Sequence, residues 1–449
     1  MTVDSVDAAA LQRVDAALRA RWPESRIAPS LDRIGALMDV LGEPQTAYPV
    51  VLIAGTNGKT STARMVEAVL RGFGLRTGRY TSPHLESMLE RIALDGEALI
   101  AEQFVAAYDE IAPYVELVDS RNDIPLSFFE VLTGMAYAAF ADAPVDVAVV
   151  EVGMGGSWDA TNVADAQVPV VMPIALDHTD YLGSTVDEIA VEKAGIVKHD
   201  ALAVLAQQQS LAAAEAVLRR TVDVGATVAR EGIEFGLLRR DVAVGGQMLD
   251  LQGIGGNYED VFLPLHGPHQ AHNAACALAA AEAFLGGGRE RIDVDVVRQA
   301  FAGVTSPGRL EVVRRSPTVL LDAAHNPAGA AATTAAIHDA FTFTRLIGVI
   351  AVLAGKDARG ILEALEPVLA EVVVTQNSSP RTLPADELAA LAVDVFGADR
   401  VEVVPRMDDA LDNAVTLAEE EGDLGGAGVL VTGSIVTVGD ARTLLRRSG

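Results

Sequence analysis

One cysteine in 449 residues excludes a disulfide framework. Cys276 lies in the apolar run AACALAAAEAF, where a small buried hydrophobe is the expected role. Aromatics are scarce too: Phe, Trp and Tyr supply 5% of a chain that is 50% hydrophobic. Alanine, valine and leucine must therefore fill the core, which suits helices packed on a Val/Ile-rich parallel sheet. Basic residues are few, 34 Lys and Arg against 62 Asp and Glu, for a formal charge of -28. Tracking nucleic-acid phosphates needs clustered cations, so no DNA or RNA partner is expected. An anionic substrate would be repelled by the whole chain, and local Arg, Lys or metal must reverse the sign at its site. Long apolar runs are also missing. LIGVIAVLAG (346–355) falls short of the ~20 residues that span a bilayer. The start carries Asp4, Asp7 and Asp15 among alanines, unlike a signal peptide. A cytoplasmic protein with no membrane partner is the expectation.

At this length one hydrophobic core rarely suffices, and two domains of unequal size are expected. Residues 6–41 have helical apolar spacing broken near Pro23 and Pro29, predicting two short helices. YPVVLIAG (48–55) predicts a buried strand that runs through TNGKTS into a helix. RTGRYTSP, DVAVVEVG (146–153) and VPVVMPIALDH (168–178) repeat the strand-to-loop pattern, and SFFEVLTGMAYAAFA (127–141) reads as a buried helix. Each strand end delivers polar residues into a loop, where open α/β sheets place their ligands. Short alternating runs over 227–260 suggest a β-hairpin excursion, and a helix follows around 270–285. The βα alternation restarts with TVLLDAAHN, LIGVIAVLAGKD, EVVVTQ, RVEVVP and GVLVTGS. The boundary is placed near 303–308, dividing the chain into 1–303 and 304–449. The predicted class is α/β: a phosphate-loop domain with a mostly parallel sheet, then a smaller Rossmann-like α/β domain.

GTNGKTS (55–61) is the sharpest local signal. Its glycines let backbone N–H groups face a phosphate, Lys59 adds a point charge, and a Thr60 or Ser61 hydroxyl can reach magnesium. The helix that starts there contributes its positive end. The spacing is shorter than the common GxxxxGK[ST], since Ile53 stands where the first glycine would be. Magnesium takes oxygen ligands, so carboxylates and hydroxyls at neighbouring strand ends are its candidates: Ser82 in TSPHL, Glu151 ending AVVEVG, and the DHTD segment 177–180. Singly, each could be a cap or a satisfied polar group; jointly, on strand ends of one sheet, they reinforce each other. His266, His269 and His272 recur every third residue, but Gly267 and Pro268 break helical spacing, and a transition-metal site is not expected there.

Together these motifs resemble the folylpolyglutamate synthase and dihydrofolate synthase family, within the Mur ligase superfamily. The ordered set is GTNGKTS, YTSPHLESMLERI, SFFEVLTGMAYAAF, VVEVGMGGSWDATNV, DHTDYLGSTVDEIAVEKAGIVK, GPHQAHNAACALA, PGRLE, LDAAHNPAG and VTGSIVTVGDAR, spanning 48–440. The resemblance implies that the γ-phosphate of ATP passes to a carboxylate. The acyl phosphate so formed is attacked by the amino group of L-glutamate, giving an amide, ADP and phosphate. It implies that Asn57, Gly58, Lys59, Thr60 and Ser61 cradle the phosphates, and that Ser82, Glu151 and His178 hold Mg2+. It further implies that Lys193, in EKAGI, is carbamylated by carbon dioxide. The alternative for Lys193 is a salt bridge to Glu192 or Asp187.

By the same resemblance the smaller domain completes the nucleotide site through Asn273 at the junction, Arg309 and Asp322, with His325 in the same loop. An arginine fork matches phosphate oxygens, and the alternative for Arg309 is an ion pair with Glu311. The pterin side is assigned to Phe128, Phe129, Trp158, Asp159 and Ala160. Aromatic faces can stack a flat heterocycle or fill a core, and core packing is favoured for Phe129. PSLDRI (29–34) resembles another pterin-contacting region. Related chains read GGRLDATN or GGRWDATN, whereas Ser157 stands here in place of that arginine, leaving the anchoring of the anionic substrate in question.

The resemblance implies L-glutamate, dihydropteroate and reduced folates as small-molecule partners, and a monomer is expected. The competing readings are a monofunctional folylpolyglutamate synthase, a cell-wall precursor ligase, a phosphate-loop ATPase that moves partners, and a non-catalytic binding protein.

Overall fold

The computed structural model describes residues 3–23, 28–419 and 426–448. Runs such as VVLIA and VAVVE are aliphatic and β-branched throughout, so they form strands buried at every position. The first sheet contains β1 (Val50–Ala54), β2 (Thr77–Tyr80), β3 (Ile92–Leu94), β4 (Glu97–Ala98), β5 (Val147–Glu151), β6 (Val168–Val171), β7 (Leu202–Leu205) and β8 (Thr227–Arg230). Their spatial order is β4-β3-β2-β5-β1-β6-β7-β8, antiparallel only at the β3 and β4 edge. β5 and β6 flank β1 on opposite sides, so the loops leaving these three strands diverge and open a crevice at their carboxyl ends.

Helices cover both faces. On one, the alanine-rich helix Pro268–Gly286 lies against the helix Lys59–Gly72, and small side chains such as Ala271, Ala274 and Ala275 permit the close approach. On the other, Val3–Arg19, Asp32–Val40, Ala101–Asp119 and Phe128–Asp142 form a second core. The two predicted N-terminal helices are present on either side of Pro23 and Pro29.

The hairpin excursion begins later than predicted and has three strands. β9 (Gly236–Ala243), β10 (Gly246–Gln252) and β11 (Asn257–Leu263) make an antiparallel sheet, whereas 227–230 is β8 of the main sheet. β8 pairs in parallel with the preceding strand β7, the helix Leu211–Asp223 making the crossover between them.

The second large sheet holds β12 (Glu311–Arg315), β13 (Thr318–Leu321), β14 (Arg345–Ile350), β15 (Glu371–Val374), β16 (Val401–Val403) and β17 (Ala427–Thr432). The order is β12-β13-β17-β14-β15-β16, parallel except for β12. Helices cover both of its faces over two further cores. Among the described residues no helix is long and apolar enough to cross a membrane.

One buried hydrogen bond ties the helix Phe128–Asp142 to the turn after β5: the Tyr137 hydroxyl donates to the Thr161 carbonyl at 2.6 Å. Tyr137→Phe strands that carbonyl and should lower stability by about 1–3 kcal/mol. Denaturant unfolding reads this as an earlier midpoint; an unchanged midpoint would contradict the assignment.

Candidate functional site

The crevice of the first sheet faces the loops of the second, enclosing a cleft of about 1670 Å³. Every site residue expected from sequence lines it except Phe128.

The phosphate loop leaves β1 at Ala54. Gly58 has φ +87°, and a Cβ there would lie 2.6 Å from Asn273 Oδ1, so only glycine fits between the loop and the helix that carries Asn273. The Lys59 ammonium curls back to the carbonyls of Gly55 and Thr56 at 3.1 and 3.3 Å. Burial lowers its pKa, while Glu151 and Asp177 pull the other way. The two candidate hydroxyls part company. Thr60 donates to the Glu151 carboxylate at 3.0 Å, whereas Ser61 turns to Ser306 at 3.0 Å and accepts from Gln270 at 3.3 Å. Asn57 crosses the cleft, its Oδ1 accepting from Asn326 at 3.1 Å.

Glu151 ends β5 and is buried. Desolvation raises its pKa, opposed by Lys59, by the Thr60 hydroxyl and by the Ser82 backbone N–H, which donates at 3.3 Å. The Glu151 carboxylate and the Thr60 hydroxyl are hard oxygen donors at one point, Ser82 lines the same cleft, and a buried carboxylate is what a divalent cation neutralises, so the group fits magnesium. His178 stands on the next loop with φ +53°. Its side chain is 37% exposed, and partial desolvation with the nearby Lys356 and Lys59 charges lowers its pKa, leaving a neutral imidazole with a lone pair to offer. The other histidines do not converge: His266 packs its ring 4.9 Å from Phe341, and His272 meets Glu231 at 2.5 Å.

The facing wall comes from β13 and the loop after it. Asp322 accepts from the backbone N–H groups of Leu310 and Ala324 and from the Thr333 hydroxyl, at 2.9, 3.0 and 2.7 Å, so it braces the turn that carries Arg309. Arg309 is not paired with Glu311, contrary to the alternative raised from sequence. Glu311 is engaged by Arg442 at 3.0 Å, and among the described residues Arg309 has no ion partner. Asp177 collects contacts from the other lobe: Lys356 Nζ at 2.5 Å, Asn326 Nδ2 at 3.3 Å and His325 Nε2 at 3.6 Å. Burial alone would raise its pKa, yet His325, His178 and Lys356 together hold the carboxyl far below the usual range.

At the far end, Phe129 lines the cleft, its ring tilted against Tyr80 at 5.9 Å between centroids and pressed on Gly153. Phe129 is partly buried against the core, as expected for it, and Phe128 is the more deeply buried of the two. Phe128 is buried beneath Arg91, whose guanidinium lies 5.2 Å from the ring, because the helix starting there points consecutive side chains about 100° apart. Asp159 is committed to the turn itself, accepting from Met154 N at 2.8 Å and Thr161 N at 3.0 Å, and it presents Trp158 and Ala160 to the cleft. Ser157 does not line the cleft; its hydroxyl donates to the Glu192 carbonyl at 3.1 Å. The cation lining this end is Arg33, part-buried in an ion pair with Glu130 at 3.0 Å.

Lys193 is 5% exposed and makes no ion pair among the described residues. Glu192 instead accepts from the backbone N–H groups of Gly156 and Trp158, so the alternative of a bridge to Glu192 or Asp187 is absent among the described residues. Burial and the nearby Lys59 charge lower the Lys193 pKa to about 7. An amine depressed below its unfolded value costs stability, increasingly as pH falls from the unfolded pKa to the folded one. Lys193→Met should therefore gain on the wild type by a few kcal/mol more at pH 6 than at pH 9. Unfolding in bicarbonate-free buffer checks this, and an equal difference at both pH values would contradict it.

Asp177, Asn326, Lys356 and Arg381 also line the cleft, and sequence reasoning gave none of them a role of its own beyond Asp177 as part of a loop. The available signal was LAGKD: a glycine–lysine pair in the loop that follows a strand, as in the phosphate loop.

Comparison with known proteins bears on the whole chain. Residues 122–281 match the Mur ligase middle domain, and residues 308–435 match the Mur ligase, glutamate ligase domain. A dihydrofolate synthase/folylpolyglutamate synthase of Mycobacterium tuberculosis is 53% identical, covering 98% of this chain and 94% of that protein. One of Escherichia coli is 34% identical, over 93% of this chain and 92% of its own. A crystal structure of the M. tuberculosis folylpolyglutamate synthase complexed with ADP and AMPPCP superposes with a TM-score of 0.93 at 53% identity, covering 98% of this chain and 99% of that one. E. coli FolC in complex with DHPP and ADP gives a TM-score of 0.84 at 31% identity, covering 98% of both chains. The chain belongs to the dihydrofolate synthase/folylpolyglutamate synthase family of Mur ligases.

Proposed function

We propose that this chain is an ATP-dependent ligase that adds L-glutamate to the free carboxylate of tetrahydrofolate and of dihydropteroate. The observation that carries this reading is that Lys59 and Arg309 face one cleft from opposite lobes, each without a carboxylate at ion-pair distance among the described residues. Two such cations suit the terminal phosphates of a nucleotide. Asn57 to Ser61 would cradle them, with Asn273 and Asp322 completing the site. We place the lobe boundary at 303/304.

The folate would lie at the end lined by Phe129, Trp158 and Ala160, with its carboxylate towards the phosphate loop. That carboxylate attacks the γ-phosphorus, ADP leaves, and an acyl phosphate results. The glutamate amine then attacks the acyl carbon, phosphate departs, and the amide remains. His325, beside Asp177, is placed to take the proton the amine loses. Arg381, on the same wall, suits a carboxylate of glutamate, whereas Lys356 is held by Asp177. Arg309 would neutralise charge as the phosphoryl group moves.

Thr60, Ser82, Glu151 and His178 would hold magnesium, which when bound supplies positive charge against the phosphate oxygens. Lys193 would carry a carbamate: its neutral amine adds to carbon dioxide and releases a proton. Its depressed pKa and lack of an ion partner support this, since only the free amine reacts.

With MgATP, glutamate and either acceptor, mass spectrometry should find product one glutamyl residue heavier in both cases, matched by phosphate release. Product from one acceptor alone would reduce the protein to a single activity, and phosphate without product would overturn the ligase reading. Lys59→Ala should cut turnover by about 10²-fold or more while leaving the melting temperature near that of the wild type. Near-normal turnover would remove Lys59 from the mechanism.

A further inference from the structure

The lobes also meet behind the cleft, at the loop after Ser82. Leu85 packs on Gly308 and Val438, and a Cβ on Gly439 would fall 2.0 Å from the Leu85 carbonyl, so the helix Ile435–Ser448 sits directly on this loop. Glu86 binds the Arg442 guanidinium from the same loop and Arg446 at 3.0 Å. The other edge of Arg442 grips Glu311, with Nη2 and Nε both at 3.0 Å from its carboxylate. Glu311 Oε2 in turn accepts from the Gly308 backbone N–H at 2.8 Å. Arg442 is 12% exposed, so this bridge is only weakly screened by solvent.

Arg309 lies between the ends of that chain of contacts. Its turn is unusual, with Gly308 at φ +69° and the non-glycine Leu310 at φ +48°, so local preference alone does not hold it. Within its own lobe the turn is pinned by Ala323 N to Gly308 O at 2.9 Å and by Leu310 N to Asp322. To the other lobe it is linked through the Ser306–Ser61 hydroxyl pair and through Glu311–Arg442–Glu86. The second link ends four residues beyond Ser82, on the loop whose backbone binds Glu151.

We propose that Arg442 is a positioning residue for phosphoryl transfer: by bridging Glu86 and Glu311 it fixes the turn that presents Arg309 to the phosphate loop. The inference rests on the role assigned to Arg309 above. A bidentate guanidinium suits the task, because it fixes orientation as well as distance.

The test is a double-mutant cycle. Arg442→Met should lower kcat by about tenfold or more with KM for the folate changed less than about twofold. Glu86→Gln, which keeps the shape and removes the charge, should act in the same direction. In an Arg309→Ala background both should change kcat by less than about twofold, because the group they position is gone. Wild-type kcat in both variants, or an equal loss in both backgrounds, would overturn the inference. If Arg442→Met does not fold, Glu86→Gln decides alone. If Arg309→Ala itself leaves turnover intact, the role of Arg309 fails instead, and the two failures are distinguishable.

Discussion

Three cations, Lys59, Lys193 and Arg309, face a single cleft, and among the described residues none has a carboxylate at ion-pair distance. In a chain of net charge -28 that arrangement is a local inversion of sign. It costs stability, because burying positive charge without a partner is opposed by desolvation, and the lowered pKa values of Lys59 and Lys193 express that cost. Many other cations among the described residues are spent on carboxylates, as Arg13 is on Asp109 or Arg345 on Glu371. A polyanion entering the cleft supplies what the protein withholds, and the acidic surface around it leaves little competing attraction.

The rest of the architecture keeps those cations from collapsing onto carboxylates. Glu311 is occupied by Arg442, Glu192 by backbone N–H groups, and Asp322 by its own turn. Glu151 is the nearest anion to the phosphate loop, and Thr60 and the Ser82 N–H hold it. Where the lobes touch, the contacts are largely polar: Asn57 with Asn326, Asp177 with Lys356, Ser61 with Ser306, Arg240 with Asp339. Polar contacts of this kind can part and re-form, whereas the aliphatic cores lie largely within each lobe, Leu85 being the side chain of the first lobe that packs on a core of the second. A ligase that loads three substrates and excludes water during transfer needs such a seam.

Much of this was legible in the sequence because it is local. Strand, glycine turn and helix are written consecutively in YPVVLIAGTNGKTS, and the carboxylate ending AVVEVG follows from the same strand-end logic. What escaped was set by tertiary pairing. β8 closes a strand–helix–strand unit with the preceding strand β7, a unit the residue pattern was not read to contain, so its residues read as part of the hairpin. Phe128 and Phe129 are indistinguishable as letters, and only the start of their helix decides which ring is buried. The Glu311 and Glu192 alternatives failed for one reason: each carboxylate found another donor that spacing along the chain could not reveal. Lys356 was overlooked because its partner, Asp177, is far away in sequence.

The most direct measurement is a crystal structure of this chain with a non-hydrolysable ATP analogue and magnesium. The account predicts terminal phosphate oxygens within hydrogen-bond distance of both Lys59 and Arg309, spanning the seam between the lobes. Phosphates held by one lobe alone, with Arg309 turned away to a carboxylate or to solvent, would contradict it.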